Sequence, residues 1–432
     1  MLAKNCAVCG MIFLLALLAG CGPAEPTAPA LAPPSTAVLP TLIPTTAATA
    51  SPAASATPLP PATASPAASA TPLASTTPTV LPTLPALAEI SVDTADQVEL
   101  LNTLAGHSKR ITGLAFSGDG VYVASSSWDG TIRLWDVKSG QEVHTYSVPE
   151  VDLNGIAFSP DGSLLACADT IWNVESKQVV QSLEQSRQVP GHVAFSPDGK
   201  LVAVQLFGQP IRLWDVASGE VVRTPDQPAG DAVFFGIVFS PDGSVLAASG
   251  RDGKVSLWDV ASGQTAGVLD YGRKVDVHDL EFSPDGSILA SGGTEAAVRL
   301  WDVASGQVAR TLRSGDGLYG VAFSPDGSLV AAAGCDRTVK LWDVAGGRLV
   351  ASLTHGDEVM AVVFSPDGTL LASGGYDNLI YVWGVPSVAP TVPAPTTETP
   401  WPAVSTVTPT ASPPDAASSG DGRRWCGFPL NG

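Results

Sequence analysis

Positive charge is scarce in this chain. Lysine and arginine together number 22 against 41 aspartates and glutamates, for a net charge of −19. A surface of that sign repels phosphate backbones, which argues against a nucleic-acid partner, and it disfavours adsorption onto anionic lipid. Histidines are few (5) and cysteines number only 6. Cys6 and Cys9 form a Cys-x-x-Cys in an N-terminal segment that is expected to be discarded, and the other four cysteines and the histidines are spread along the chain with no clustered metal spacing. Gly-x-Ser-x-Gly, His-Glu-x-x-His and the phosphate loop are all missing, which removes the common linear signatures of catalysis. No metal and no cofactor is expected. Long apolar runs are lacking as well: Met11–Ala19 is too short to cross a bilayer as a helix.

Glycine (43) and proline (37) are plentiful. They suit tight turns and unfolded stretches, and the chain separates the two uses. Residues 21–90 are built of Pro, Ala, Ser and Thr, and Thr49–Leu59 recurs letter for letter at Thr63–Leu73. Such a segment buries almost no apolar area and reads as a disordered, extended linker. At about 3.1 Å per residue its reach is at most roughly 200 Å. Residues 387–432 form a second Pro/Thr-rich arm, ending near Arg423-Arg424-Trp425-Cys426.

At the other end, Lys4 and the apolar run after it have the length and flanks of a secretory signal. The run closes in Leu18-Ala19-Gly20-Cys21, which resembles the cleavage box of bacterial lipoproteins. That resemblance implies that residues 1–20 are removed and that Cys21 carries a diacylglyceryl anchor. The expectation is an exported protein, held on the extracytoplasmic side of a membrane through Cys21 alone. Cys167 and Cys335 fall inside apolar strands and are expected as small buried hydrophobes, with Cys426 a leftover thiol.

Between the arms, over residues 91–386, the sequence repeats at roughly forty residues. Phe-Ser-Pro-Asp-Gly starts at Phe158, Phe195, Phe239, Phe282, Phe323 and Phe364, with Phe-Ser-Gly-Asp-Gly at Phe116. Leu-Trp-Asp-Val follows, with its indole at Trp135, Trp214, Trp258, Trp301 and Trp342, and variants at Trp172 and Trp383. Each unit divides into four short strands with alternating apolar residues. In the sixth these are Tyr319–Ser324, Ser328–Ala333, Thr338–Asp343 and Arg348–Leu353, here lettered a to d. The second unit is clipped between its b and c strands.

These units resemble WD repeats, over about Asp96 to Val385. The resemblance implies an all-β fold: a seven-bladed β-propeller of four-stranded antiparallel blades. The last unit stops after strand c, and Gln97–Leu104 has the pattern of a d strand. An N-terminal strand is therefore expected to close the ring, since an open ring would expose two sheet edges. The resemblance also implies a hydrogen-bonded His, Ser, Asp and Trp across a blade. By position these are His107, Ser125, Asp129 and Trp135 in blade one and His355, Ser373, Asp377 and Trp383 in blade seven. Blades four and six keep only Asp and Trp, and His192 does not align.

In WD-repeat proteins the face carrying the d–a loops and b–c turns is the usual partner side. Strand-a positions and the residues before each turn Asp place Trp128, Phe235, Arg251, His278, Tyr319, Met360 and Tyr376 there, an arc of the types that carry binding energy. The expected function is an extracytoplasmic, lipid-anchored scaffold for a protein or peptide, with a glycan possible, and not an enzyme. The alternatives are a hydrolase or lyase with carboxylates at the channel mouth, for which Asp276, Asp279 and Asp357 are the candidates, and a passive spacer. The oligomeric state is open.

Overall fold

The computed structural model describes residues 84–148, 153–183, 191–206, 209–226 and 234–387. Cys21, the linker repeats and the Arg423–Cys426 segment lie outside the described residues.

Local chemistry sets the strands. In blade six, Leu318–Phe323 is strand a, Leu329–Gly334 strand b, Thr338–Asp343 strand c and Leu349–Thr354 strand d. Strand a ends one residue before the expected Ser324, because that serine belongs to the turn. Its hydroxyl donates to Asp326 at 2.5 Å and accepts from the Leu329 amide at 2.9 Å. Gly327 completes the turn at φ +72°, where a Cβ would strain the backbone. The same Ser–Asp hydrogen bond recurs in every unit, from Ser117–Asp119 to Ser365–Asp367. One face of the molecule therefore carries seven turns in which a serine and an aspartate are paired with each other.

Seven antiparallel sheets result. Their inner strands are Ile111–Phe116, Ile156–Phe158, His192–Phe195, Phe234–Phe239, Val277–Phe282, Leu318–Phe323 and Val359–Phe364. Each packs beside the next, and the seventh packs beside the first. The core is accordingly split into seven apolar clusters, one in each seam between neighbouring blades. The strand-c indole always enters the seam with the preceding blade: Trp135 packs with blade seven, Trp301 with blade four and Trp383 with blade six. Burial of such side chains contributes about 1.5–3 kcal/mol each.

Closure is by the N-terminal strand. Glu99–Ala105 pairs antiparallel with Leu379–Pro386 and supplies the fourth strand of blade seven. Before it, Leu87–Ala88 pairs with Pro386 and Val385, and a single 3-10 turn follows at Ala95–Gln97. Ile90, fully buried, wedges into the seam of blades six and seven, and its amide donates to the Gly368 carbonyl at 2.9 Å.

Blade two is shortened as its spacing implied. Cys167 pairs with Thr170 across a two-residue turn that holds Ala168 at φ +56°. Cys167 is a free, fully buried thiol, and burial pushes its pKa up. Cys335 differs from expectation: it is half-buried at the b–c corner of blade six and is disulfide-bonded.

Candidate partner-binding site

The face with the d–a loops and b–c turns is organised by β-bulges. In blade one, Ile111 pairs with Ser127 and Gly113 with Ser126, so Thr112 between them has no partner across the ladder. Phe235, His278, Tyr319 and Met360 are the skipped residues at the same place in blades four to seven. A bulge re-aims the side chain it releases. These five, with Asn154 and His192 from blades two and three, converge on a cavity of about 30 Å³ at the channel mouth. The residue after the bulge is glycine where blades crowd: a Cβ on Gly113 would stand 2.5 Å from the Asn154 carbonyl.

His192 takes the place in this ring that alignment assigns to Gly191. Blade three has no bulge, and His192 pairs regularly with Gln205. Its side chain therefore reaches the mouth from one register position further on. Burial, with the neighbouring His278, lowers the His192 pKa to about 4, and burial lowers that of His278, so neither carries charge near neutrality.

Around the mouth runs a connected series of rings and charges. The Trp128 indole donates to Asn154 Oδ1 at 3.3 Å. Arg110 lies between Trp128 and Tyr376, and its guanidinium donates to the Tyr376 hydroxyl. The Tyr319 hydroxyl donates to Glu358 at 3.2 Å, and burial together with Tyr376 and Glu358 pushes its pKa upward, keeping it a donor. Tyr319 stacks on His278 with centroids 5.4 Å apart, and Phe235 meets the other side of that imidazole edge-on. Arg251 stands 5.9 Å over Phe235 and 3.8 Å from Asp276.

The seven arc residues thus fall into two groups. His278, Tyr319 and Met360 are buried and plug the channel mouth. Trp128, Phe235, Arg251 and Tyr376 are partly exposed around them. Sequence reasoning missed Arg110, which no motif marks, and Glu358.

The blade network is a separate set, below this surface. His107 Nε2 meets Ser125 Oγ at 2.8 Å and its Nδ1 meets Asp129 at 3.0 Å, while the Trp135 indole donates to Ser125 at 3.0 Å. Burial lowers the His107 pKa, so a neutral ring accepts from Ser125 and donates to Asp129. Burial alone would raise Asp129, but hydrogen bonds from Thr131, Ser108 and His107 outweigh it and hold Asp129 at about 2. In blade seven His355 and Trp383 meet Ser373 at 2.8 and 2.7 Å, with Asp377 further off at 3.6 Å. Blade five builds the same joint without histidine: the Tyr271 hydroxyl and the Trp301 indole bond Ser291 at 2.6 and 2.8 Å.

The catalytic alternative named Asp276, Asp279 and Asp357. Asp276 faces Arg251, and Asp357 faces Arg337 at 3.7 Å. Asp279 is on the channel wall instead, so the three do not converge. Among the described residues no group of three or more His, Cys, Asp or Glu is arranged to hold a metal.

Fold and blade joints together define a WD-repeat β-propeller. Residues 306–343 and 347–384 match the WD domain, G-beta repeat. Residues 86–319, more than half of the chain, match the IFT122 first beta-propeller, and the chain belongs to that family. It is 41% identical over 83 residues to the U3 small nucleolar RNA-associated protein 21 of Saccharomyces cerevisiae, covering 19% of this chain and 9% of that one. It is 38% identical over 81 residues to the Periodic tryptophan protein 2 homolog of Schizosaccharomyces pombe, covering 18% and 9%. It is 32% identical over 84 residues to the Target of rapamycin complex subunit wat1 of the same yeast, covering 19% and 26%. The matched part thus spans between 9 and 26% of these relatives' lengths.

These relatives correct one expectation. Names that refer to small nucleolar RNA and to a target of rapamycin complex point inside the cell. The exported, extracytoplasmic location read from the first twenty-one residues is overturned by them.

Proposed function

We propose that this propeller is a protein-interaction scaffold, without catalytic activity of its own, that holds a protein or peptide segment against the channel-mouth face. The observation that carries the reading is the Arg110–Trp128–Tyr376 stack, which fixes two large rings at a partly exposed rim. Aromatic and arginine side chains dominate binding energy at interfaces. Rings already held in place lose little freedom on binding, so more of the contact energy appears as affinity. On the opposite face the first serine and the aspartate of each a–b turn are already paired with each other. The names of the relatives, a complex subunit and an RNA-associated protein, agree with a scaffold.

The test is cross-linking in cells with the double variant Trp128→Ala/Tyr376→Ala. Lys138→Ala, an exposed change in a c–d turn, is the control. The partners captured by the wild type should be lost by the double variant and kept by the control, with thermal unfolding confirming both folds. Equal capture by a folded double variant overturns the assignment of this face.

A further inference from the structure

Cys335 stands on the rim of the mouth face. Its amide donates to the Gly317 carbonyl at 3.0 Å, the same bond that the Tyr376 amide makes to the Glu358 carbonyl at 2.9 Å and the Trp128 amide to the Arg110 carbonyl at 3.2 Å. Cys335 is therefore the blade-six counterpart of the two rings that frame the rim. It is half-buried there and disulfide-bonded. The chain has 6 cysteines, and Cys167 is a fully buried free thiol. The partner of Cys335 is accordingly Cys6, Cys9, Cys21 or Cys426, all outside the described residues.

Reach does not choose between them. Strand c of blade seven, Leu379–Pro386, runs away from the mouth, and beyond it the Ser387 amide donates to the Ala86 carbonyl at 2.8 Å. Both arms thus join the propeller on the opposite face, about 26 Å below the rim, the rise of that strand. About forty residues separate Ser387 from Cys426 and about sixty separate Cys21 from Leu84. Even as a coil, either length spans at least roughly 35 Å.

Chemistry does choose. The corner around Cys335 is acidic. Asp316 is exposed beside Gly317, Asp336 follows Cys335, and Asp357 and Glu358 stand on the adjoining d–a loop of blade seven, partly exposed. Of the cations there, Arg337 faces Asp357 at 3.7 Å, Lys340 pairs with Asp336, and Arg110 is buried between its two rings. Asp316 and Glu358 have no ion pair among the described residues. Cys426 is preceded directly by Arg423, Arg424 and Trp425. Cys21 leads instead into Gly22, Pro23, Ala24 and Glu25, and Cys6 and Cys9 have Lys4 but no aromatic residue within three positions.

We propose that Cys335 is bonded to Cys426 and that the bond lays Arg424 and Trp425 on the acidic rim of blades six and seven, making the C-terminal arm an intramolecular occupant of the mouth face. The arginines answer Asp316 and Glu358, and the indole adds a ring beside Tyr376. A dithiol releases the arm: its two thiols become a disulfide, and Cys335 and Cys426 each take up one hydrogen. That the arm competes with an outside partner rests on the function proposed above; the bond and the docking do not.

The experiment takes the full chain purified without added thiol, alkylates free thiols at acid pH, digests it and identifies the linked peptides by mass. A peptide joining Cys335 to Cys426 is expected. Cys335 joined to Cys6, Cys9, Cys21 or a second copy overturns the proposal, and so does an alkylated Cys335. Docking beyond the bond is read from the equilibrium with dithiothreitol. Arg423→Ala/Arg424→Ala and, separately, Trp425→Ala should each lower the constant for forming the bond about fivefold. For the arginine pair the difference should vanish in 1 M salt. Neither variant alters a blade, so folding of the propeller is not at stake. Constants equal to that of the wild type in both variants mean a bare tether and overturn the docking. Neither measurement reads an outside partner, so failure leaves the binding-face assignment standing.

Discussion

The Arg110 guanidinium lies 3.1 Å from the centre of the Trp128 ring and 4.7 Å from that of Tyr376, so a cation from the d–a loop ties the b–c turns of blades one and seven together. The contact crosses the seam where the ring closes. There a buried charge supports the partly exposed aromatics beside it.

Arg110→Lys should therefore be a costly change despite keeping the charge. A lysine cannot lie flat between two rings or reproduce the fork of donors. The expected loss is about 1 kcal/mol of stability, read by urea unfolding, because cation–π contacts are of that size. Trp128 and Tyr376 should also become more mobile, seen as greater quenching of tryptophan fluorescence by acrylamide. Unchanged quenching would show that the rings are held by other contacts.

Closure of the ring depends on the strand Glu99–Ala105. Leu104 on it is 3% exposed and packs with Ile111, Trp135 and Ile380 in the seam of blades seven and one. Leu104→Ala leaves a cavity there and should cost about 2–5 kcal/mol. Leu100→Ala on the same strand removes a 45% exposed side chain and should be nearly neutral. Equilibrium denaturation of the two variants side by side checks both values. A similar loss for each would mean that pairing alone, and not seam packing, holds the strand.

The Asp129 carboxylate gives the fold a pH dependence on the acid side. Its folded pKa, about 2, lies below the unfolded 3.8. The folded state therefore favours the ionised form. The stability this contributes is present above about pH 4 and disappears as pH falls through 2. Asp129→Asn should flatten the acid limb of a stability curve between those values while leaving the alkaline limb unchanged. Thermal unfolding from pH 2 to 7 reads the difference.

Much of the fold was legible because its signals are local. Phe-Ser-Pro-Asp-Gly closes a turn with bonds no more than five residues apart, as Ser324 does with Asp326 and Leu329. The closing strand was legible because Gln97–Leu104 carries the alternation of an outer strand. The site was legible only in part. Position identified Phe235, His278, Tyr319 and Met360 as one set but could not tell a buried plug from a rim. His192 was passed over because only a bulge, absent from blade three, decides which residue faces the mouth. Tyr271 escaped because a phenol from the loop replaces an imidazole at a different spacing from Ser291.

Sequence alone determined the number of units, the turns between strands and the side of each strand that carries its indole, since these depend on neighbours within a few residues. The tertiary structure decided which side chains look into the channel, which stand on the rim and which cross a seam. Those outcomes follow from bulges in the strand ladders and from the contact of each blade with the next, and that contact exists only once the circle is complete.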